Sequence, residues 1–521
     1  MEGSLEERTP NVALTSERSA VRTSARQRAA TAAVLAGVLL GMLGDALFRT
    51  SGMGINLLLW AASAVAATVW VSRVHQRRVS VQRWALAVPL MLFAGVFAWR
   101  TAPVLLALNL LAMMSAFGML ALAVGGGATD IVRAGVAELT RGALSVGISA
   151  AIGTPVLLAG DRALSDGGAQ PRWRKAMAIA RGCLLAVPLL VVFGALLTAA
   201  DPRFERLIAT IFDIDFAGTV GHIVFAGFIA WIAAGYLRAA AVAAQPAQMP
   251  GMASLPRMTL GLTELATIFG LVDALFVLFV VVQLPHLFGG AARLHDAQGL
   301  TVAEYARSGF FQLVTVAALV VPLLLAGAGL VRKRDGRDWE VFRALAAAMI
   351  ALVGLMIVSA LQRLALYVAA FGLSEERVYV TAAVAWLAIV FALFVGTVLR
   401  RRRGVFAFGA ILSGWIVLGE LDVMNPQALV VEVNAGRAAA GRSFDWKYAT
   451  TLDADAVPAL AAEMPLLDEE ARCAVAKKLA SVRTNRQARL TEDWRSWNHG
   501  RTTAVRVSRM AYPNAVLVNC R

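Results

Sequence analysis

Charge is scarce in this chain: only 16% of its 521 residues are Asp, Glu, Lys or Arg, too few to cover a soluble core of that size. Cysteine is scarcer. Cys183, Cys473 and Cys520 are the only three, which excludes a disulfide-built scaffold, and they stand at no metal-ligand spacing. The five histidines, His75, His222, His286, His295 and His499, are equally scattered, so no metal or cofactor is expected. Gly125-Gly126-Gly127 lacks the Lys-Ser/Thr of a phosphate loop, and Ser145 lacks the GxSxG elbow of a hydrolase. No catalytic residue is therefore assigned, and an enzyme is not the expectation. A cleavable leader is missing too, because residues 1–28 are polar and rich in Arg, Ser and Thr; they read as a disordered cytoplasmic tail.

What the sequence has instead is hydrophobic length: 59% of residues are hydrophobic and the mean hydropathy is +0.67. A helix rising 1.5 Å per residue needs roughly 20 apolar residues to cross a hydrocarbon layer about 30 Å thick. Runs of that kind lie near 29–48, 53–72, 83–99, 102–124, 176–200, 216–237, 264–284, 310–330, 343–371, 379–399 and 404–423. The expected fold is an all-α polytopic membrane protein of about eleven transmembrane helices. A bundle over 29–423 precedes a small, mainly helical C-terminal domain over 424–521.

The formal charge of +15 raises nucleic acid as a partner, but the basic residues fall in short connectors and build no continuous groove. Topology accounts for them. With the N-terminus inside, the cytoplasmic segments carry 26 Lys and Arg against 7 in the outer connectors, which is the asymmetry of the positive-inside rule. The reading is therefore a bacterial inner (cytoplasmic) membrane protein in contact with the lipid bilayer, its N-terminus cytoplasmic and its C-terminus extracytoplasmic. The charge-free stretch 142–160 resembles a twelfth span. A crossing there would invert every later connector, so it reads as re-entrant, interfacial or packed on the bundle, after a short helix capped by Thr129 or Asp130.

The C-terminal segment is different material, with mixed charge and Trp446, Tyr448, Trp494 and Trp497. Helical patterning runs from Asp453 to Met464 and more clearly from Asp468 to Val482, where acidic residues open and Lys477-Lys478 close the helix. Under 100 residues, it needs the bundle or a covalent staple for stability. In an oxidising compartment Cys473 and Cys520 form a possible disulfide.

Several stretches carry a resemblance: QLPHLFGG at 283–290 with GLTVAEYARSGFFQLVTVAAL at 299–319; SALQRLALYVAAFGLSEERVYV at 359–380; and, in the tail, Asn425-Pro426 through Asn434 and Arg437, DWKYATTLDADAVPAL at 445–460 and DWRSWNHGRTTA at 493–504. In order and spacing this half of the chain resembles the bacterial membrane family catalogued as domain of unknown function 4173. The resemblance implies a multi-spanning envelope protein with an outer tail, and brings no substrate. His286 stands where that pattern has Tyr after Gln-Leu-Pro.

A charge at the centre of a membrane helix costs about 2.5–3.5 kcal/mol, so such residues need a partner, a cavity or a purpose. Asp45, Glu264, Asp273, Arg363, Glu420 and Asp422 make the candidate polar site. Arg363 is expected to pair with Glu420, Asp422 or Asp45 near the outer surface. Asp273, near mid-depth, is either a packed polar residue or a functional one. Gly37 and Gly41 form a GxxxG that permits close helix approach. Three functions compete. The first is an envelope signalling or assembly component that presents the outer domain to a protein partner. The second is a transporter or channel-like protein using Asp273 and Glu264, and the third a membrane-embedded lipid-directed transferase.

Overall fold

The computed structural model describes residues 9–49, 52–77, 79–126, 131–160, 216–242, 261–288, 310–331, 336–484 and 486–511. It is an all-α, multi-pass membrane protein with a small helical C-terminal region. Among the described residues nine helices are long and apolar enough to cross a bilayer; the expected run 176–200 lies outside them. The run expected at 83–99 forms a shorter apolar helix.

Helix α1, Thr9–Phe48, begins within the polar N-terminal stretch and continues without a break into the first span, no glycine interrupting it before Gly37. It is followed by α2, Ile55–Val74, the short α3, Ala87–Val96, preceded by one turn at Val81–Trp84, and α4, Pro103–Gly125. Gly37 and Gly41 sit directly on a third helix, α6, Phe216–Leu237. A Cβ on Gly37 would lie 2.6 Å from the Cβ of Ala234, and one on Gly41 would lie 2.6 Å from that of Ala230. The GxxxG thus serves packing within the bundle, against small residues spaced by four.

Helix α5, Val136–Gly160, is one continuous helix where a short helix and a separate apolar stretch were expected; Thr129 and Asp130 lie outside the described residues. Its small residues seat it on α4 and α6. A Cβ on Gly142 would meet Leu122 at 2.7 Å, and one on Gly153 would meet Gly235 at 3.1 Å. Thr154 donates to the carbonyl of Trp231 at 2.6 Å, and the Trp231 indole donates to that of Ala151 at 2.6 Å. Because Leu122 and Gly235 both lie near the C-terminal ends of their helices, α5 packs across those ends.

The second half contains α7, Leu262–Phe288, α8, Phe310–Leu330, α9, Arg337–Phe371, α10, Glu375–Leu393, and α11, Arg403–Met424. Phe269 stacks edge-on against Phe342 at 5.5 Å, while farther along both chains Val280 joins Met356, Ala360 and Leu364 in one cluster. Helices α7 and α9 therefore run parallel. Leu313 belongs to the same cluster as Leu364, and Ala328 to that of Trp339, so α8 runs against them.

Beyond α11 come α12, Pro426–Ala439, α13, Val457–Glu463, α14, Glu469–Val482, and α15, His499–Ala511. Asp468 caps α14 by accepting from the Ala471 amide at 2.8 Å, as its position before an acidic first turn predicts. Among the described residues the C-terminal region shares its core with the bundle. Val430, Leu460, Val475 and Val505 share one apolar cluster with Leu57, Phe93, Leu105 and Trp415 of the spans.

Candidate functional site

A membrane helix that ends at the interface leaves amides at its start and carbonyls at its end without intrahelical partners. On the face that carries the C-terminal region, residues of that region and of the connectors supply those partners one by one. Four junctions share this chemistry.

The first is the α3–α4 connection. Asp455, 3% exposed, places Oδ2 where it accepts from the amides of Thr101 at 2.6 Å and Ala102 at 3.0 Å, and its own amide donates to the Thr101 hydroxyl at 3.1 Å. A carboxylate at a helix start is favoured by the dipole and by the open amides. Pro103 at the first turn has no N–H to offer, which concentrates the interaction on the two residues before it. Burial pushes the Asp455 carboxyl above the ordinary aspartate range, against the pull of the Thr101 and Ala102 amides and of Arg100.

The carbonyls that end α3 are met by the start of α15. Asn498, 1% exposed, donates through Nδ2 to the carbonyls of Phe97 and Arg100, both at 2.8 Å, and accepts from the Arg501 amide at 2.9 Å. The amides of His499 and Gly500 donate to the carbonyls of Ala98 and Trp99 at 2.8 and 3.1 Å. No side chain fits at position 500: a Cβ there would collide with Asp455 Oδ1 and sit 3.1 Å from the Trp99 carbonyl.

The α1–α2 turn is held in the same manner. Arg495 Nη1 donates to the Ala46 carbonyl at 2.8 Å, the Ile55 amide donates to the Trp497 carbonyl at 3.0 Å, and Arg501 Nη2 donates to the Met53 carbonyl. Asn56, fully buried, closes the turn from inside, accepting from Gly54 at 2.8 Å and donating to the Leu47 carbonyl at 3.0 Å. At the α9–α10 turn, Arg437 donates to the carbonyls of Val368 and Ala369 at 2.7 and 2.8 Å. Asn434 brackets Leu373 through both its amide and its carbonyl at 2.8 Å, and the Tyr448 hydroxyl accepts from the Glu375 amide at 2.8 Å. Gly372 sits there at φ +82°, where a Cβ would come within 2.5 Å of Asn434 Oδ1, a conformation and a space that suit glycine.

The end of α11 completes the set. Arg100 donates from Nε to the Asp422 carbonyl at 2.7 Å and from Nη2 to the Val423 carbonyl at 3.1 Å, the favourable placement of a cation at a helix C-terminus. Asn425, in the left-handed region at φ 55°, ends α11 and starts α12; its side chain donates to the Asp455 carbonyl at 3.0 Å. Trp99, Trp494 and Trp497 are partly exposed at this level, as in an interfacial aromatic belt.

The six intramembrane residues singled out from the sequence do not meet in one site. Asp45 bonds to His222 of α6 through Nδ1, and Arg49 lies 3.7 Å from its other oxygen. Asp422 accepts from Asn109 Nδ2 at 2.7 Å. Glu420 is exposed on α11, and Arg363 is half-buried on α9, whose main neighbours are α7, α8 and α10. Asp45 and Asp422, two of the carboxylates expected to pair with Arg363, make these bonds toward α6 and α4. Glu264 is exposed and accepts from the Gly261 amide at 2.9 Å, opening α7. Asp273 is 8% exposed, and neither of its carboxylate oxygens has a hydrogen-bond partner among the described residues. Cys473 lies in α14; Cys520 lies outside the described residues. No cluster of potential metal ligands occurs among the described residues.

Arg100, Asp455, Asn498 and Arg437 went unassigned in the sequence. The signal for the last three was the runs 425–437, 445–460 and 493–504, and their partners are backbone atoms that no motif displays.

These features define a polytopic membrane protein whose helix ends are tied on one face by its own C-terminal region. The chain belongs to the family described as Domain of unknown function (DUF4153), whose model matches residues 87–463. That finding overturns the resemblance to family 4173; of the stretches that suggested it, all but 493–504 lie inside the match. Comparison with curated proteins and with solved structures gives no match.

Proposed function

We propose that the protein is a non-enzymatic component of the bacterial inner membrane that holds its C-terminal domain at a fixed orientation on the extracytoplasmic face, as an assembly or signalling platform for a protein partner. The observation that carries this reading is the set of bonds tying Asp455, Asn498, Arg437 and Arg495 to helix ends. A domain held at three junctions presents its outer surface in one pose, which recognition without induced ordering requires. The arginine asymmetry between connectors supports the sidedness. The exposed residues of α15, Arg506, Arg509 and Met510, belong to the surface offered.

In cells whose deletion phenotype is known, charge reversal at Arg506 and Arg509 should abolish complementation at unchanged protein level, whereas Asp273→Asn should complement. The opposite pattern favours the second reading, a transport pathway, for which the buried carboxylate of Asp273 without a partner among the described residues is the specific observation. Reporter fusions at Gly160, Gly336 and Gly441 test the sidedness; a Gly441 fusion active only in the cytosol refutes it.

A further inference from the structure

Helix α3 and the turn before it, Val81–Val96, give about 24 Å of helix, less than the roughly 30 Å of a hydrocarbon core. Beside this short element the bundle is not filled. A groove of about 1120 Å³ runs between α3 and α11, walled by Leu92, Phe93, Leu412, Trp415 and Ile416. Close-packed protein leaves few voids larger than a water molecule, so a groove this large and this apolar needs hydrocarbon to fill it.

Two glycines make the space. Gly95 on α3 and Gly419 on α11 both line the groove, and a Cβ added at either would meet nothing within 4 Å. Leu92 and Ile416 are more than half exposed, so the groove opens toward the lipid. Its two ends differ in charge. Ser80, Gln82 and Arg83 line one end, and Asp422 and Val423 the other. Arg83 is placed there by its bond to the Ala123 carbonyl at 3.1 Å, near the C-terminus of α4. Guanidinium, hydroxyl and amide donors match a phosphate; a carboxylate at the opposite end repels one.

We propose that this groove binds one acyl chain of an anionic phospholipid, with the phosphate at Ser80, Gln82 and Arg83 and the chain running along α11 toward Asp422. The occupant comes from the leaflet on the face opposite the C-terminal region, since α3 begins on that face and ends against α15. This site is independent of the platform reading and survives its failure.

The test uses the full chain in nanodiscs of equal phosphatidylglycerol and phosphatidylcholine. Native mass spectrometry counts retained lipid, and quenching of Trp415 by chain-brominated phosphatidylglycerol, taken as the difference from Trp415→Phe, reports the chain. One phosphatidylglycerol per chain is expected, preferred about fivefold, the worth of one arginine at a membrane surface. Gly95→Leu with Gly419→Leu, at positions where an added Cβ meets nothing within 4 Å, fills the groove and should abolish both signals at unchanged thermal stability. Arg83→Gln should remove the headgroup preference but keep the quenching, and Arg83→Lys should restore the preference. Equal retention of the two lipids by the native chain, unchanged retention in the double leucine variant, or a Trp415 that brominated chains never reach overturns the proposal.

Discussion

Replacing Asp455 by alanine isolates the chemistry that holds the domain to the bundle. The side chain is buried and Oδ2 is the acceptor for the amides of Thr101 and Ala102. Its removal strands two donors where water does not reach easily. A buried donor without a partner costs about 1–3 kcal/mol, so the expected loss is about 3 kcal/mol, to within a factor of two. Asp468→Ala is the matched control, because it removes the same kind of bond, to the Ala471 amide, at an exposed position. Water replaces that acceptor, and the cost should stay near the lower end of the capping range, about 0.5–1 kcal/mol. Unfolding of both variants in the same detergent, followed by a fluorescence probe on the C-terminal domain, gives the comparison. Hydrogen exchange at Thr101 and Ala102 reads the amides directly and should accelerate only in Asp455→Ala. If the two variants lose equal stability and those amides keep their protection, the reasoning is refuted.

The pH dependence follows with its sign. Burial raises the Asp455 carboxyl above its unfolded value of about 3.9, so between those two values the native chain holds more protons than the unfolded one. Stability therefore falls as pH rises through that window, and Asp455→Asn, measured by unfolding at several pH values, should flatten that slope. Gly500→Ala should destabilise by more than about 1 kcal/mol through its collision with Asp455 and Trp99, while Gly436→Ala, in open space on α12, should stabilise by about 0.5–1 kcal/mol; paired melts of the two variants check it. Arg437→Ala should loosen the α9–α10 turn, seen as faster exchange at Leu373 and Glu375, with Arg437→Lys recovering part of the protection. A Cys473–Cys520 disulfide predicts a mobility shift between reduced and non-reduced gels after thiol blocking, and complete alkylation of both thiols would end that idea.

The spans were legible because the bilayer imposes a length of apolar sequence on each, and the Asp468 cap because its signal is local. The clamp was not. Thr101 and Asp455, or Ala46 and Arg495, are joined only when the helices have assembled, and one partner in each pair is a backbone atom with no residue preference. Arg100, one of the seven basic residues counted in the outer connectors, receives the end of α11, a role that charge counting does not show. Depth along the membrane also placed Asp45 and Asp422 at one level, but depth says nothing about azimuth, and those carboxylates face His222 and Asn109 across different helix contacts. The family was misassigned for a related reason: polar runs at helix ends were legible as a pattern without showing which family uses them.

Because the C-terminal region satisfies backbone groups of α1, α2, α3, α4, α9 and α10, it is part of what makes the bundle stable as well as a surface beyond it. Deleting residues 430–521 would uncover helix ends at the α1–α2, α3–α4 and α9–α10 junctions and remove Val430, Leu460 and Val505 from the core they share with Leu57, Phe93 and Leu105. Loss of a phenotype after such a deletion would report unfolding as readily as loss of a recognition surface. Substitutions confined to the exposed face of α15 separate the two, since they touch none of the capping bonds. The same coupling runs in the other direction: whatever binds the folded domain stabilises the helices it caps by the binding free energy. A partner of the domain should therefore raise the unfolding midpoint of the whole native chain, and that rise should shrink in Asp455→Ala if the clamp transmits it.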